Sequence, residues 1–424
     1  MIVIEFETCN DNKKQALGVA LMHHHQLLIL FAMLIFAFGL VSRFAERHSI
    51  TGPMVFMTVG ILGSSLVFGF LHVTPEMGPV KLVAELALTL VLFIDATMIN
   101  RSVFTGASRR IPIRLLLIGL PLTMVLGTFA GVWMFAGAGI WAIVLMAFIL
   151  SPTDAALGQA VVKSEGVPLQ IRQSISVESG LNDGIALPPI LIVMALLGAE
   201  AGEHEGAWLG FVIKQVTLGP VVGLAVGWIG GKLMQYTADR DWTEATFQRL
   251  SALPLAILAF VFAESVEGNG FIAAFVAGLG LTAAITSQEV KHQVQEFGET
   301  EGVQLILIVF LIFGLAMVPA AAPYWGLREL IYALASLTVI RMVPVAISLM
   351  GSKLDWKTIA FIGWFGPRGI ASVLYLLMAV AAIGFQGYEQ VMSVIVLTIM
   401  ISVFAHGISA VPLSRRYGES VSSE

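Results

Sequence analysis

Long apolar runs recur along this chain from residue 26 to residue 413, each near the length of a membrane crossing and separated by short polar stretches. A helix rises 1.5 Å per residue, so about 20 apolar residues cross the ~30 Å hydrocarbon core of a bilayer. On that basis the pattern predicts thirteen transmembrane helices. They fall at 26–44, 52–71, 80–100, 112–135, 140–163, 171–198, 208–232, 248–265, 268–288, 302–319, 327–350, 357–383 and 389–413. Most connections are short, so no soluble domain is expected to interrupt the bundle. The expected fold is an all-α polytopic membrane protein.

Composition agrees with the pattern. Hydrophobic residues make up 57% of the chain and charged residues 12%, against about 25% charged in an ordinary soluble domain, and the mean hydropathy is +0.89. The net charge of −5 and the lack of a basic tract give no reason to expect a nucleic-acid partner. Cys9 is the single cysteine, which excludes an internal disulfide. The 42 glycines suit close helix packing in lipid. Residues 1–21 are polar and mixed in charge, without the basic region and cleavage site of a signal peptide. Residues 1–25 are therefore expected to be a polar extension with the natural start at Met22, and His23-His24-His25 a solvated terminus rather than a metal site, because three consecutive histidines share no helix face. Residues 414–424 are expected to form a short tail, with no sizeable regulatory domain.

Charge placement orients the bundle. With the N-terminus outside, 16 of the 23 basic residues collect at inner ends and loops, five lie on the outer side, and Arg341 and Arg368 fall inside spans. The positive-inside rule then gives an outer N-terminus, a cytoplasmic C-terminus and an odd number of spans in a plasma membrane. Acidic stretches such as 200–205 fall outside. A second regularity is symmetry. Pro152 breaks the fifth span and Gly366-Pro367 the twelfth, so each break occupies the fifth helix of a six-helix unit. Spans 1–6 (26–198) and 8–13 (248–413) are expected to form two inverted repeats with discontinuous fifth and twelfth helices, joined by a linker at 199–247 that contains span 7. Interrupted helices at matching places in two halves point to a transporter site.

The polar residues of that site are Thr153 and Asp154 after Pro152, with Glu178, Ser179, Asn182 and Asp183 on span 6. A charged side chain at mid-membrane costs on the order of 2.5–3.5 kcal/mol on insertion scales. Pro152 lacks an amide hydrogen and disfavours helix at Ser151, which frees backbone carbonyls where no water is at hand. A dehydrated cation is one partner for them, and hard cations such as sodium prefer the oxygens that Thr153, Asp154, Ser179, Asn182 and Asp183 supply. Ser179 and Asp183 share a helix face at spacing i, i+4, as do Glu178 and Asn182. Span 6 starts near residue 171, which puts Asp183 about 18 Å deep at 1.5 Å per residue. Desolvation disfavours a charged carboxylate at that depth, so proton and cation compete for it. If the two cannot bind together, exchange by alternating access follows.

Arg341, mid-span, requires a counter-charge, and Glu178 is the simplest one; the pair is expected to be structural. Arg368 is expected to face helix C-terminal dipoles at the crossing of the broken helices, with an anion path as its alternative. Asp95 in span 3 is either an interfacial carboxylate paired with Arg101 or a member of the ion path. Glu85 and His406 are assigned no part in transport.

The stretches Ser-Pro-Thr-Asp at 151–154, Glu-Ser-Gly-Leu-Asn-Asp-Gly at 178–184 and Phe-Gly-Pro-Arg-Gly at 365–369 resemble signature segments of the cation/proton antiporter-1 family. That is the NhaP-type branch of sodium/proton antiporters, related to the animal NHE exchangers. The resemblance implies thirteen helices in two inverted repeats, a homodimer and an elevator-like motion of a six-helix core. It implies sodium ligands at Thr153, Asp154, Ser179 and Asp183, support from Asn182, an acidic residue at Asp95 and the Glu178–Arg341 pair. Asn182-Asp183, where electrogenic relatives carry two aspartates, implies one proton per sodium. The long cytoplasmic tail of the family is missing from the pattern.

The function expected from the sequence is therefore secondary exchange of sodium or lithium for protons in pH homeostasis, with no catalytic residue and no cofactor. A potassium/proton exchanger is the near alternative, because ligand types alone do not fix cation size. An intramembrane aspartyl protease is the remote one: a dyad would leave Asn182, Ser179, the paired breaks and Arg341 without a role. A channel lacks a filter-like loop or ring-forming repeat.

Overall fold

The computed structural model describes residues 11–99, 109–154, 157, 159–162, 164, 166–200 and 208–422, whose regular structure is helical. The helices are α1 (Asp11–Arg47), α2 (Gly52–Gly63), α3 (Gly78–Met98), α4 (Arg110–Met134), α5 (Ile140–Ile149), α6 (Leu169–Glu200) and α7 (Trp208–Ala238). After them come α8 (Ala245–Ser265), α9 (Gly270–Ala284), α10 (Gln288–Ile312), α11 (Leu327–Ser348), α12 (Trp356–Trp364), α13 (Ile370–Ile383) and α14 (Glu389–Ser422). Among the described residues eight helical segments are long and apolar enough to cross a membrane, and α2, α5, α9 and α13 are shorter apolar helices. The chain is an integral membrane protein.

Every expected span overlaps helix, but several boundaries move. Helix α1 begins at Asp11, inside the stretch expected to be a polar extension. Lys13, Lys14, Gln15, Ala16 and Leu17 are good helix formers, so polarity alone does not end a helix there. Cys9, Arg101, Lys163 and the acidic residues at 203 and 205 lie outside the described residues, as do the side chains of Glu200 and His23 to His25. The second span stops at Gly63 rather than 71: Ser64 leaves the helical region at ψ 172° and the chain turns, with Gly69 at a left-handed φ of +64°. Leu66, Val67, Phe68 and Phe70 are exposed in that turn, so their hydrophobicity had lengthened the expected span. At the other end α14 runs through Ser422. Tyr417 is buried there, its hydroxyl 2.7 Å from Thr358 Oγ1, which holds the expected tail against α12.

Span 7, the helix expected within the linker at 199–247, is α7 and packs closely on α9. Gly219, Gly223 and Gly227 recur every four residues along α7, and a Cβ at Gly223 or Gly227 would collide with the Ala273 or Ala277 carbonyl of α9. Small residues at that spacing let backbones meet where lipid offers no hydrophobic drive for association.

Helix α11 carries a break that no proline or glycine announces. Thr338 sits at φ −114°, ψ −92°, and its hydroxyl donates to Leu334 O at 2.7 Å, a back-bond that competes with the helix ladder. Arg341 lies one turn beyond. The main core joins α2, α3, α5, α6, α10, α13 and α14, and the two broken segments cross within it.

Candidate functional site

The fifth span leaves the helical conformation after α5 and is non-helical over Pro152, Thr153 and Asp154; the twelfth is non-helical from Phe365 to Gly369, between α12 and α13. The two stretches lie against each other, and Asp154 N–H donates to Pro367 O at 2.9 Å. Gly366 and Gly369 permit that approach. A Cβ on Gly369 would overlap the Asp154 carboxylate, and one on Gly366 would press on the Arg341 guanidinium and on Thr153.

Each break sends a charge to the helix end that the other exposes. Arg368 Nη1 donates to Pro152 O at 2.9 Å and also to Ser151 O, the carbonyls freed at the end of α5. In return Asp154 Oδ2 accepts Ile370 N–H at 2.8 Å, at the start of α13. A cation at a helix C-terminus and an anion at an N-terminus are the favourable placements. Arg368 is fully buried, and its own N–H donates to Ser402 Oγ at 2.7 Å.

Helix α6 delivers the second set of groups. Thr153 Oγ1 accepts from Asn182 Nδ2 at 2.7 Å and lies 3.1 Å from Ser179 Oγ, so three of the expected ligand residues form one cluster. Asp183 is 3% exposed, with Oδ1 lacking a hydrogen-bond partner; Asn182 Oδ1 is likewise buried and unpartnered. Buried polar atoms of this kind are rare and call for an explanation. The Asp183 main-chain carbonyl is held by Tyr375 OH at 2.7 Å. Asp95, half-buried on α3, lies within electrostatic reach of Asp154 and Asp183.

Arg341 Nη2 lies 2.6 Å from Glu178 Oε1, with the two side chains 1% and 2% exposed. The contact is an ion pair by distance, although the N–H direction misses hydrogen-bond geometry and neither atom has another partner among the described residues.

Three residues of this neighbourhood, Ser372, Tyr375 and Ser402, were not singled out in the sequence. Ser372 and Tyr375 of α13 bond to Ile149 O (2.8 Å) and Asp183 O; their signal was two hydroxyls at i, i+3 in an otherwise apolar helix. Ser402 is the third, one turn before His406 on α14 and 3.2 Å from its Nδ1. His406 Nε2 lies 2.9 Å from Trp364 O, and its ring stacks on Trp364 at 5.0 Å. His406 thus fastens the end of α12 and stands apart from the carboxylates. Glu85 pairs with Lys81 at 3.8 Å, half-exposed on α3. No cluster of three His, Cys, Asp or Glu side chains suited to a metal occurs among the described residues.

The family model for the transmembrane region of sodium/hydrogen exchangers matches residues 29–416. The chain belongs to that family. The K(+)/H(+) antiporter NhaP of Alkalimonas amylolytica is 25% identical over 367 residues, covering 85% of this chain and 62% of that protein. The Na(+)/H(+) antiporter NhaG of Bacillus atrophaeus is 26% identical over 325 residues, covering 74% and 60%. The chain therefore spans less than two thirds of the length of these curated relatives. Its fold is that of the sodium proton antiporter MjNhaP1 from Methanocaldococcus jannaschii at a TM-score of 0.74, with 17% identity, covering 93% of this chain and 99% of that one.

Proposed function

We propose that this chain is a secondary antiporter that exchanges sodium or lithium for protons by alternating access, one proton per cation. The observation that carries the reading is Asp183, a buried carboxylate with an unpartnered oxygen beside a crossing whose exposed helix ends are met by Arg368 and Asp154 and whose Arg341 is paired with Glu178. Asp183 takes either the cation or the proton. Thr153, Ser179 and Asp154 supply further oxygens to the cation, Asn182 positions Thr153, and Asp95 belongs to the ion path. Glu178–Arg341 and Arg368 hold the scaffold. The reading is of a transporter rather than an enzyme, working without a cofactor.

With it go the inverted repeats at 26–198 and 248–413, joined through 199–247. The N-terminus lies outside and the C-terminus inside a plasma membrane, and the chain works as a homodimer whose six-helix core moves. Potassium is the second reading, supported by the relative named as a K(+)/H(+) antiporter.

Proteoliposomes loaded with a pH dye and given a proton gradient test this. Pulses of sodium and lithium are expected to dissipate the gradient, Asp183→Asn to be inactive, and a voltage clamp by ionophore to change nothing. Dissipation by potassium alone selects the second reading. Full exchange by Asp183→Asn refutes the site, and voltage-dependent turnover refutes the 1:1 cycle.

A further inference from the structure

Away from the crossing, a cavity of about 600 Å³ opens at the end of α4 that the positive-inside reading places at the cytoplasmic face. Arg109, Arg110 and Arg114 line one side, with Gln170 at the start of α6; Ser352 and Lys353, in the loop between α11 and α12, line the other. None of the four cations pairs with a carboxylate among the described residues, and no acidic side chain is among the described lining. Arg114 donates from Nη1 to Met350 O at 2.8 Å, which ties the α4 end to the loop. Beneath them a hydrophobic cluster that includes Ile111, Leu115, Leu349 and Phe361 makes a packed floor. The volume lies within the ~300–1,000 Å³ of small-molecule sites.

The surroundings identify the depth. Trp356, three residues after Lys353 at the start of α12, is 74% exposed, and exposed Trp side chains mark the headgroup level of a bilayer. Met350 and Leu117 are exposed beside the cations in sequence, at 68% and 70%. Four cations in a pocket at headgroup level, bordered by apolar surface, match a ligand with a phosphate at one end and hydrocarbon at the other. We propose that this cavity binds the headgroup of an acidic phospholipid. Basic pockets between helices on the cytoplasmic side have this chemistry. Bound there, the lipid bridges α4 of the first repeat to the α11–α12 loop of the second, clamping two elements next to the broken helices.

The test uses the purified full chain in a neutral detergent and involves no transport. Binding of phosphatidylglycerol, phosphatidylcholine and inorganic phosphate is followed by native mass spectrometry and by the midpoint of thermal unfolding. Phosphatidylglycerol is expected to bind and raise the midpoint, with the other two giving much smaller shifts. Arg110→Gln/Lys353→Gln is expected to weaken that binding about tenfold or more, since juxtamembrane cations act on acidic lipid individually. Arg416→Gln, an exposed cation elsewhere on the same face, is the control and should bind as the unmodified chain does. Because the substituted side chains are exposed, the variants should fold; Arg109→Gln alone gives the same direction if the double variant does not. Equal binding of phosphatidylcholine, equal stabilisation by phosphate alone, or unchanged affinity in the double variant would overturn the proposal.

Discussion

Breaking the Glu178–Arg341 pair tests how the crossing is held together. The two side chains are nearly fully buried and meet at 2.6 Å, while Arg341 Nε and Nη1 have no hydrogen-bond partner among the described residues. Glu178→Gln keeps the shape but leaves the guanidinium without its counter-charge, and Arg368 lies within electrostatic reach of both partners. Removing one member of a buried pair costs about 3–5 kcal/mol, whereas replacing both by apolar groups of similar volume is often neutral. On the unfolding entropy of globular proteins, ~2.1 cal/mol/K per residue, that loss lowers the midpoint by about 3–6 °C. Helix retained in detergent shrinks the entropy and enlarges the shift. The assay is thermal unfolding of the purified chain carrying Glu178→Gln, Arg341→Met or both, beside sodium-driven exchange in proteoliposomes. Each single variant should lose stability at least as much as transport, and the double variant should regain much of it, giving a coupling well above the ~0.5 kcal/mol of independent sites. Additive midpoints would refute the pairing. A Glu178→Gln protein of unchanged stability that no longer transports would make Glu178 an ion ligand instead.

Gly369→Ala should destabilise by about 1–3 kcal/mol, the usual cost of overpacking, because its Cβ has no room beside the Asp154 carboxylate; a midpoint equal to that of the unmodified chain would show that the crossing gives way. Asp355 caps α12 by accepting from Lys357 N–H at 3.1 Å and Thr358 N–H at 3.3 Å, so Asp355→Ala should cost about 1 kcal/mol. Its hydrogen bonds to Thr358, and next to the Lys357 backbone, hold that carboxyl below the usual carboxylate range. The sign follows: the cap contributes fully at neutral pH and is lost as the pH falls below about 4. Unfolding midpoints of Asp355→Ala and the unmodified chain should therefore converge in acid; a constant difference would count against the cap.

The sequence revealed most where the membrane penalises polarity most. Arg341 and Glu178 could be paired on paper because an isolated charge at that depth is so costly, and Pro152 and Pro367 declared the two breaks because proline removes a helix donor. What escaped notice had weaker local signals. The break at Thr338 depends on a hydroxyl back-bond that a span of this hydropathy conceals. The Ser402 and His406 contacts are tertiary, and neither residue type is unusual enough alone to forecast a partner 34 or 42 residues away. The glycines of α7 follow a small-residue spacing that was readable, but the spacing alone did not name α9 as the helix it packs on. The apolar run after Gly63 misled for the opposite reason, since hydrophobicity forecasts contact with lipid or core and says nothing of the chain leaving the helix at Ser64.

The crossing also explains why one carboxylate is set apart from the rest. Two broken helices necessarily expose unlike ends, carbonyls from α5 and an amide from α13, in a region without water to satisfy them. Arg368 from the second break answers the carbonyls of the first, and Asp154 from the first answers the amide of the second. Glu178 answers Arg341. Arg368 and Asp154 thus satisfy the exposed helix ends, and Arg341 has Glu178, so a cation that arrives need not compensate exposed dipoles. Asp183 has no arginine of its own in this arrangement, and its Oδ1 is without a partner. Asn182 beside it offers a second buried oxygen but no second charge. On the proposed reading, Asp183 exchanges one cation for one proton while Asp95 and Asp154, within electrostatic reach of it, keep their charge through the cycle, and 1:1 follows from that count. The same count makes a prediction for Asn182→Asp: a second carboxylate beside Asp183 should make turnover respond to voltage in proteoliposomes, and a variant that stays voltage-independent would separate stoichiometry from the charge of this pair.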